Sequence, residues 1–339
     1  MRKVKVQEAV GMVLGHDLTR IVPGEFKGAA FKKGHIIQEE DIPLLLDTGN
    51  EYIFVLELKE DELHEDEAGM RIARAIAGPG IEFTPPEEGK VSMRAKWKGL
   101  LRIDASLLEE INSMGDIIVS TLHNYTPCER ETTVAATRII PLTIAEQKVK
   151  GVEYRCKRKK VVDITPYKIK RVGVVVTGSE VFHGRIKESF DETVGRKIKS
   201  YGATILAKDV VPDDPGEIAH SLRRLKDTGV EVLLTTGGLS IDPGDVTKEG
   251  VKRAGAKVIS YGSPVLPGAM FLYALLDGIP LLGLPACVFY YKTTIFDLIF
   301  PRVLAGQQIT RRDIIKIGHG GLCLGCEVCR FPICPFGKG

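Results

Sequence analysis

The sequence has no large charge of either sign and no long apolar run. Its 47 Lys and Arg against 44 Asp and Glu leave a formal net charge of +3. That excess is too small to attract a polyanion, so nucleic acid is not an expected partner. The most basic stretch, Arg155-Cys156-Lys157-Arg158-Lys159-Lys160, is short and reads as a solvated linker or strand edge. The acidic run from Glu57 to Glu67 reads as an exposed helix start. The sequence opens Met1-Arg2-Lys3-Val4-Lys5, without the apolar stretch of a signal peptide. No run of about twenty apolar residues occurs. The most apolar region, Ala269 to Tyr291, is interrupted by Asp277, Gly278, Pro280 and Pro285. The expectation is a cytoplasmic protein with no membrane association.

What is present is enough chain for two or three domains and a sizeable core: 339 residues, 44% hydrophobic and 27% charged. Residues 1–58 read as a small β-rich domain. Ala9–Leu14 and Ile36-Ile37 look like strand pieces, and Pro23-Gly24 and Lys33-Gly34 like turns. Glu39–Leu46 reads as a short helix ending near Gly49, and Glu51–Leu58 as a strand. Residues 59–165 read as an α+β segment. Helices are expected over Asp66–Ala77 and Ser106–Met114, and strands over Val91–Ile103, Asp116–Leu122 and Thr132–Leu142. His123-Asn124-Tyr125 reads as a hydrogen-bonded turn, with a crevice-facing position as the alternative. Residues 151–170 read as a link.

From 171 to 306 the pattern changes to strands alternating with helices, the signature of a mostly parallel α/β sheet. The apolar strand Val172–Val176 stops at Thr177-Gly178-Ser179-Glu180. A second, Val230–Leu234, stops at Thr235-Thr236-Gly237-Gly238-Leu239-Ser240, followed by Asp242 and Asp245. Asp191–Tyr201, Asp245–Ala254 and Cys287–Leu304 read as helices. Asp214-Pro215-Gly216-Glu217 is a helix start with an acidic cap and Pro at the first helical position. Phe271–Leu275 and Ile279–Leu284 form an expected hairpin across Asp277-Gly278.

Loops at the carboxyl ends of such strands form the ligand crevice. Glycines allow backbone N–H groups to turn toward an anion, a following helix start adds its dipole, and the hydroxyls donate to phosphate oxygens. Carboxylates beside an anion repel it unless a cation bridges them, so Glu180, Asp242 and Asp245 suggest Mg²⁺. The plain alternative for each acid is helix capping, with Asp245 placed to cap its own helix.

The combination resembles the molybdopterin-binding domain of the molybdopterin molybdenumtransferases. The matching marks are Arg171-Val172-Gly173, Thr177-Gly178-x-Glu180, Asp213-Asp214-Pro215, Gly237-Gly238-Leu239-Ser240, Asp245-Val246-Thr247, Pro267-Gly268 and Gly283-Leu284-Pro285. The resemblance implies a three-layer domain that binds molybdopterin or its adenylate and inserts molybdate in a Mg²⁺-dependent step. Glu180 and Asp245 would then hold the metal or position the attacking group. Thr177, Gly178, Ser179, Gly237, Gly238, Ser240, Asp242, Pro267, Gly268 and Pro285 would line the substrate. It also implies a homodimer. Three positions depart from the family pattern. Ser179 stands for its Asp, Leu266 and Ala269 for its lysines, and Ala286-Cys287-Val288 for its Gly-Asn-Pro. Losing the lysines removes countercharge for phosphate or molybdate.

Of the 7 cysteines, four fall together after Gly318-His319-Gly320-Gly321: Cys323-x-x-Cys326-x-x-Cys329-x-x-x-x-Cys334-Pro335. The run resembles the bacterial ferredoxin motif with one extra residue before the last cysteine. In a reducing compartment such a cluster reads as a metal site, a [4Fe–4S] cluster or Zn²⁺, over 318–339. A flexible reduced tail is the plain alternative. The tail suggests redox sensitivity, or docking to a molybdoenzyme or cofactor-assembly protein. Three functions follow: a transferase, a non-catalytic carrier or redox-gated regulator, and an iron–sulfur protein with a vestigial pterin site.

Overall fold

The structure, a computed structural model, describes residues 1–22, 26–57, 60–240, 242 and 244–339. The expected Pro23-Gly24 turn and the Leu58 end of a strand lie outside these residues. The chain divides into two compact units. One comprises Met1–Trp97, Leu101–Asn124 and Glu129–Ile164, the other Lys98–Leu100, Tyr125–Cys128 and Thr165–Gly339. No helix among the described residues is long and apolar enough to cross a membrane.

In the first unit, residues near the N-terminus gather an apolar cluster of their own, with Val6, Leu14, Ile37, Leu45 and Ile53 buried. Arg2–Lys5 pairs antiparallel with Tyr52–Val55, and alternation turns Ile53 and Val55 inward. Of Ala9–Leu14 only the end is strand-like, where Val13 bridges Ile36 and Leu14 bridges Val55. Ala9 N donates to Val6 O at 3.1 Å and Met12 N to Ala9 O at 3.0 Å, closing turns instead. Further on, helix Glu65–Ile76 buries Ala68, Ile72, Ala73 and Ile76 on one stripe. It packs on an antiparallel sheet ordered Ile81–Phe83, Val91–Ala95, Thr133–Ile139, Ile117–Thr121. The expected Val91–Ile103 strand divides into Val91–Ala95 and Gly99–Ile103. Trp97 ends the first of these, its Nε1 donating to Ile164 O at 3.1 Å.

A helix, Glu146–Arg155, begins before the expected link and runs into it. Its Val149 and Val152 are buried, and Arg71 holds both Glu146 and Glu153 at 2.9 Å. The interior Gly151 masks it in the sequence. The basic run is therefore a helix end and its turn, where Arg155 Nε donates to Glu110 Oε1 at 2.7 Å. Asn124 sits in a hydrogen-bonded turn, its Oδ1 accepting from Ile103 N at 3.0 Å.

The second unit is built on a six-stranded sheet. Its order is Thr204–Val211, Arg171–Thr177, Val232–Thr236, Ile279–Leu284, Leu272–Leu276, Lys257–Tyr261. The first three pairings are parallel and the last two antiparallel. Successive residues of one strand serve opposite faces. Val174 and Val176 join Phe190, Ile198, Phe296 and Phe300, whereas Val175 joins Ile218, Leu222 and Val251. Helices thus cover both faces, giving three layers.

Helix Pro215–Lys226 starts as its sequence predicts. Asp214 accepts from Gly216 N at 2.8 Å and Glu217 N at 2.9 Å. Asp214→Ala is expected to cost about 1 kcal/mol in a urea melt, whereas Asp214→Asn keeps most of the cap. The expected Asp191–Tyr201 helix opens with a wider turn at Asp191–Gly195 before regular Arg196–Ser200. The expected Cys287–Leu304 helix is shorter. A helical turn at Ala286–Phe289 precedes Ile295–Leu304, which Thr294 and Asp297 open as a reciprocal cap. A further helix, Arg311–Lys316, follows.

Candidate functional site

From Arg171–Thr177 the chain crosses to Thr204–Val211 on one side. It then returns to Val232–Thr236 on the other. Adjacent strands whose connections leave in opposite directions splay their carboxyl-end loops and open a crevice. Thr177-Gly178 and Gly237-Gly238 stand at that point.

The two loops are joined by short bonds. Thr177 Oγ1 donates to Thr236 O at 3.0 Å and lies 3.1 Å from Thr247 Oγ1. Thr247 Oγ1 donates to Gly237 O at 2.9 Å, and Thr247 N to Gly238 O at 3.1 Å. Gly237 has φ +89°, and a Cβ there would lie 2.4 Å from Thr177 O. The close approach of the two loops therefore requires glycine. Thr236 Oγ1 is buried at the strand end without a hydrogen-bond partner in the protein.

The first loop is also tied sideways. Ser179 N donates to Asp213 Oδ2 at 2.8 Å, and Asp213 N to Ser179 Oγ at 3.2 Å. Ser179, where an Asp was the family's residue, thus builds the loop with a neutral hydroxyl. Glu180 is exposed on the single helical turn Ser179–Phe182. A turn so short adds little dipole.

Asp245 does not cap its helix. Helix Thr247–Arg253 begins after Val246 with no side-chain cap, and Thr247 N donates to Gly238 O. Asp245 Oδ2 instead accepts from Asp242 N at 3.1 Å and holds the loop tip, where Asp242 and Ser240 are exposed. Leu239 is buried and pins the loop, and Tyr261 OH donates to its carbonyl at 2.7 Å. Lys248 Nζ lies 4.1 Å from the centre of the Tyr261 ring, which sets a cation near Gly238–Ser240. Among the described residues no three His, Cys, Asp or Glu side chains gather closely enough to hold a metal ion. Glu180, Asp242 and Asp245 therefore make no closed cage. Mg²⁺ needs none when substrate phosphates supply most of its oxygens.

Pro267, Gly268 and Pro285 line a cavity of about 400 Å³ with Leu266, Cys287, Tyr291 and Cys323. Pro285 follows Leu284, which pairs with Thr236, so this wall stands on the same sheet edge as Gly237. Burial pushes the Cys287 thiol above its ordinary value, which makes it a neutral wall group. Lys248 escaped the sequence reading, and Thr236, Asp213 and Thr247, which stand within the stretches singled out there, were given no role of their own. Two strands that each end in Thr just before a Gly, Thr177 and Thr236, are the signal that marks the pair.

Comparison with known proteins bears on both ends of the chain. Residues 173–305 match the family described as "Probable molybdopterin binding domain". Residues 3–57 match a "Domain of unknown function (DUF8806)". A CinA-like protein of Mycobacterium avium (strain 104) is 35% identical over 83 residues, 24% of this chain and 19% of that protein. A molybdopterin molybdenumtransferase of Synechococcus elongatus is 30% identical over 112 residues, 31% of this chain and 28% of that protein. The chain thus spans between about a fifth and a third of the length of these curated relatives. A solved structure, the molybdopterin biosynthesis enzyme MoaB from Thermus thermophilus, aligns with a TM-score of 0.34 and 19% identity, covering 41% of this chain and 98% of that one. Residues 173–305, which carry most of the sheet and its crevice, are thus similar to the family of probable molybdopterin binding domains.

Proposed function

We propose that the crevice binds molybdopterin or its adenylate and that the protein acts in molybdenum cofactor assembly as a Mg²⁺-dependent molybdenumtransferase. The observation that supports this most is the joint of Thr177-Gly178 with Gly237-Gly238 at the switch point, within the segment that matches the molybdopterin-binding family. A phosphate seated there meets backbone N–H groups and hydroxyls rather than charged side chains. Lys248 supplies a nearby positive charge. Asp245 and Glu180 are the carboxylates that would hold Mg²⁺ against the phosphates. Held there, Mg²⁺ would supply countercharge to the phosphate oxygens. Asp245 also orders the Asp242 loop. Leu266 and Ala269, uncharged where the family carries lysines, leave molybdate with less countercharge. That observation favours a second reading, a carrier or regulator that binds the pterin without turnover.

One experiment separates the two. Protein given adenylylated molybdopterin, Mg²⁺ and molybdate releases AMP if it is a transferase, and Asp245→Ala abolishes that release. Tight pterin binding without release supports the carrier. Neither release nor binding removes both readings.

A further inference from the structure

Residues 318–339 lie outside the molybdopterin-binding match. The tail is docked at defined points. Leu266 N donates to Gly321 O and Cys323 N to Leu266 O, each at 2.8 Å. Thr293 Oγ1 lies 3.1 Å from Cys329 Sγ, and Lys292 Nζ donates to Glu327 O at 3.1 Å. Phe336 is buried. Phe331 and Cys334 pack against the core of the second unit, but other apolar side chains of the tail do not. Leu324, Val328 and Ile333 are 78%, 69% and 75% exposed.

Cys323, Cys326, Cys329 and Cys334 are all free of disulfides. All four line one cavity of about 760 Å³, walled also by Tyr290, Tyr291 and Phe331. The thiols are not yet closed on a point, so binding has to draw Leu324–Arg330 inward. A segment that leaves several of its apolar side chains in water gains most from a centre that serves as its core. Structural zinc commonly takes two C-x-x-C pairs set apart by a longer loop. Here Cys326 is shared by two adjacent C-x-x-C steps, a spacing that suits separate irons of one cubane.

We propose that Cys323, Cys326, Cys329 and Cys334 ligate one [4Fe–4S] cluster in this cavity. Loading from a preformed cluster is ligand exchange without a change of oxidation state. Four Fe–S bonds to capping thiolates break and four to cysteine sulfur form. Each cysteine proton leaves with a capping thiolate as its free thiol. Because Cys323 lines both this cavity and the smaller one with Pro267, Gly268 and Pro285, the cluster would stand beside the candidate substrate wall.

The test is to incubate the full chain anaerobically with a synthetic [4Fe–4S] cluster capped by small thiolates, then desalt it. A parallel sample receives Zn²⁺ alone. The expected result is one cluster retained per chain, with iron and labile sulfide in equal amounts and a broad visible absorption. Cys326→Ala with Cys329→Ala should lower retention at least tenfold. Cys326 is exposed and Cys329 touches only Thr293 among the anchors, so the thermal melt of the second unit should move little. A melt that does shift is resolved by Cys326→Ala alone, which must still lose retained iron. Three results overturn the proposal: no iron retained by the wild-type chain, equal retention by the variants, or zinc held on all four thiols while the cluster is refused.

Discussion

Lys197→Met is expected to destabilise the second unit by about 3–5 kcal/mol at neutral pH, the cost of leaving a buried charge without its partner. Asp297 is nearly inaccessible, and Lys197 Nζ is 2.8 Å from its Oδ2. The same carboxylate accepts from Thr294 N at 2.8 Å and opens helix Ile295–Leu304. Burial pushes the Asp297 carboxyl above its ordinary value, and Lys197 works against that push. A folded value above the unfolded one means that the folded state binds its proton more tightly. The contribution of Asp297 is therefore most favourable at acid pH and declines as pH rises through the window between the two values. Removing Lys197 raises the folded value further and widens that window. The variant should thus lose most stability at neutral pH and recover part of it toward acid. Urea melts of wild type and variant at several pH values measure this. A loss that is uniform across pH would refute the pairing as its cause.

Gly237→Ala is expected to cost about 1–3 kcal/mol from backbone strain alone, with the contact on Thr177 O added to it. Its Cβ would sit 2.4 Å from that backbone oxygen, so the two loops must part. Thr177 Oγ1→Thr236 O and Thr247 Oγ1→Gly237 O would lengthen together. Ligand affinity at the crevice should fall at least about tenfold, 1.4 kcal/mol. Gly202→Ala is the control. It shares a positive φ of +77° but has nothing within 4 Å of the new Cβ, so it carries the strain without the collision. Melting curves and a molybdopterin titration of both variants separate the two effects. Equal behaviour of the two would mean that the loops do not depend on close approach.

Much of the site was legible because chemistry and punctuation coincide in short stretches. Thr177-Gly178 and Gly237-Gly238 each follow an apolar run that cannot be solvent-exposed, so strand end and loop are readable together. Asp214-Pro215-Gly216-Glu217 named its own helix start, and the structure places the cap on the expected N–H groups. The capping alternative for Asp245 fails for a physical reason. The helix starts two residues later, at Thr247 with Val246 in the cap position, and Thr247 N turns to Gly238 O across the loop. Helix Glu146–Arg155 was missed because Gly151 weakens its local preference, while Arg71, far off in sequence, anchors it through Glu146 and Glu153.

The sequence by itself determined the alternation of strands and helices over 171–306, the glycine loops and the clustering of four cysteines, because each is encoded within a few neighbouring residues. Only the tertiary structure decided which strands are adjacent. That choice places Thr177 against Thr236, joins Ser179 to Asp213, and seats Cys323 on Leu266. These contacts link residues distant along the chain. They follow from burying both faces of one sheet at once, which no local pattern specifies.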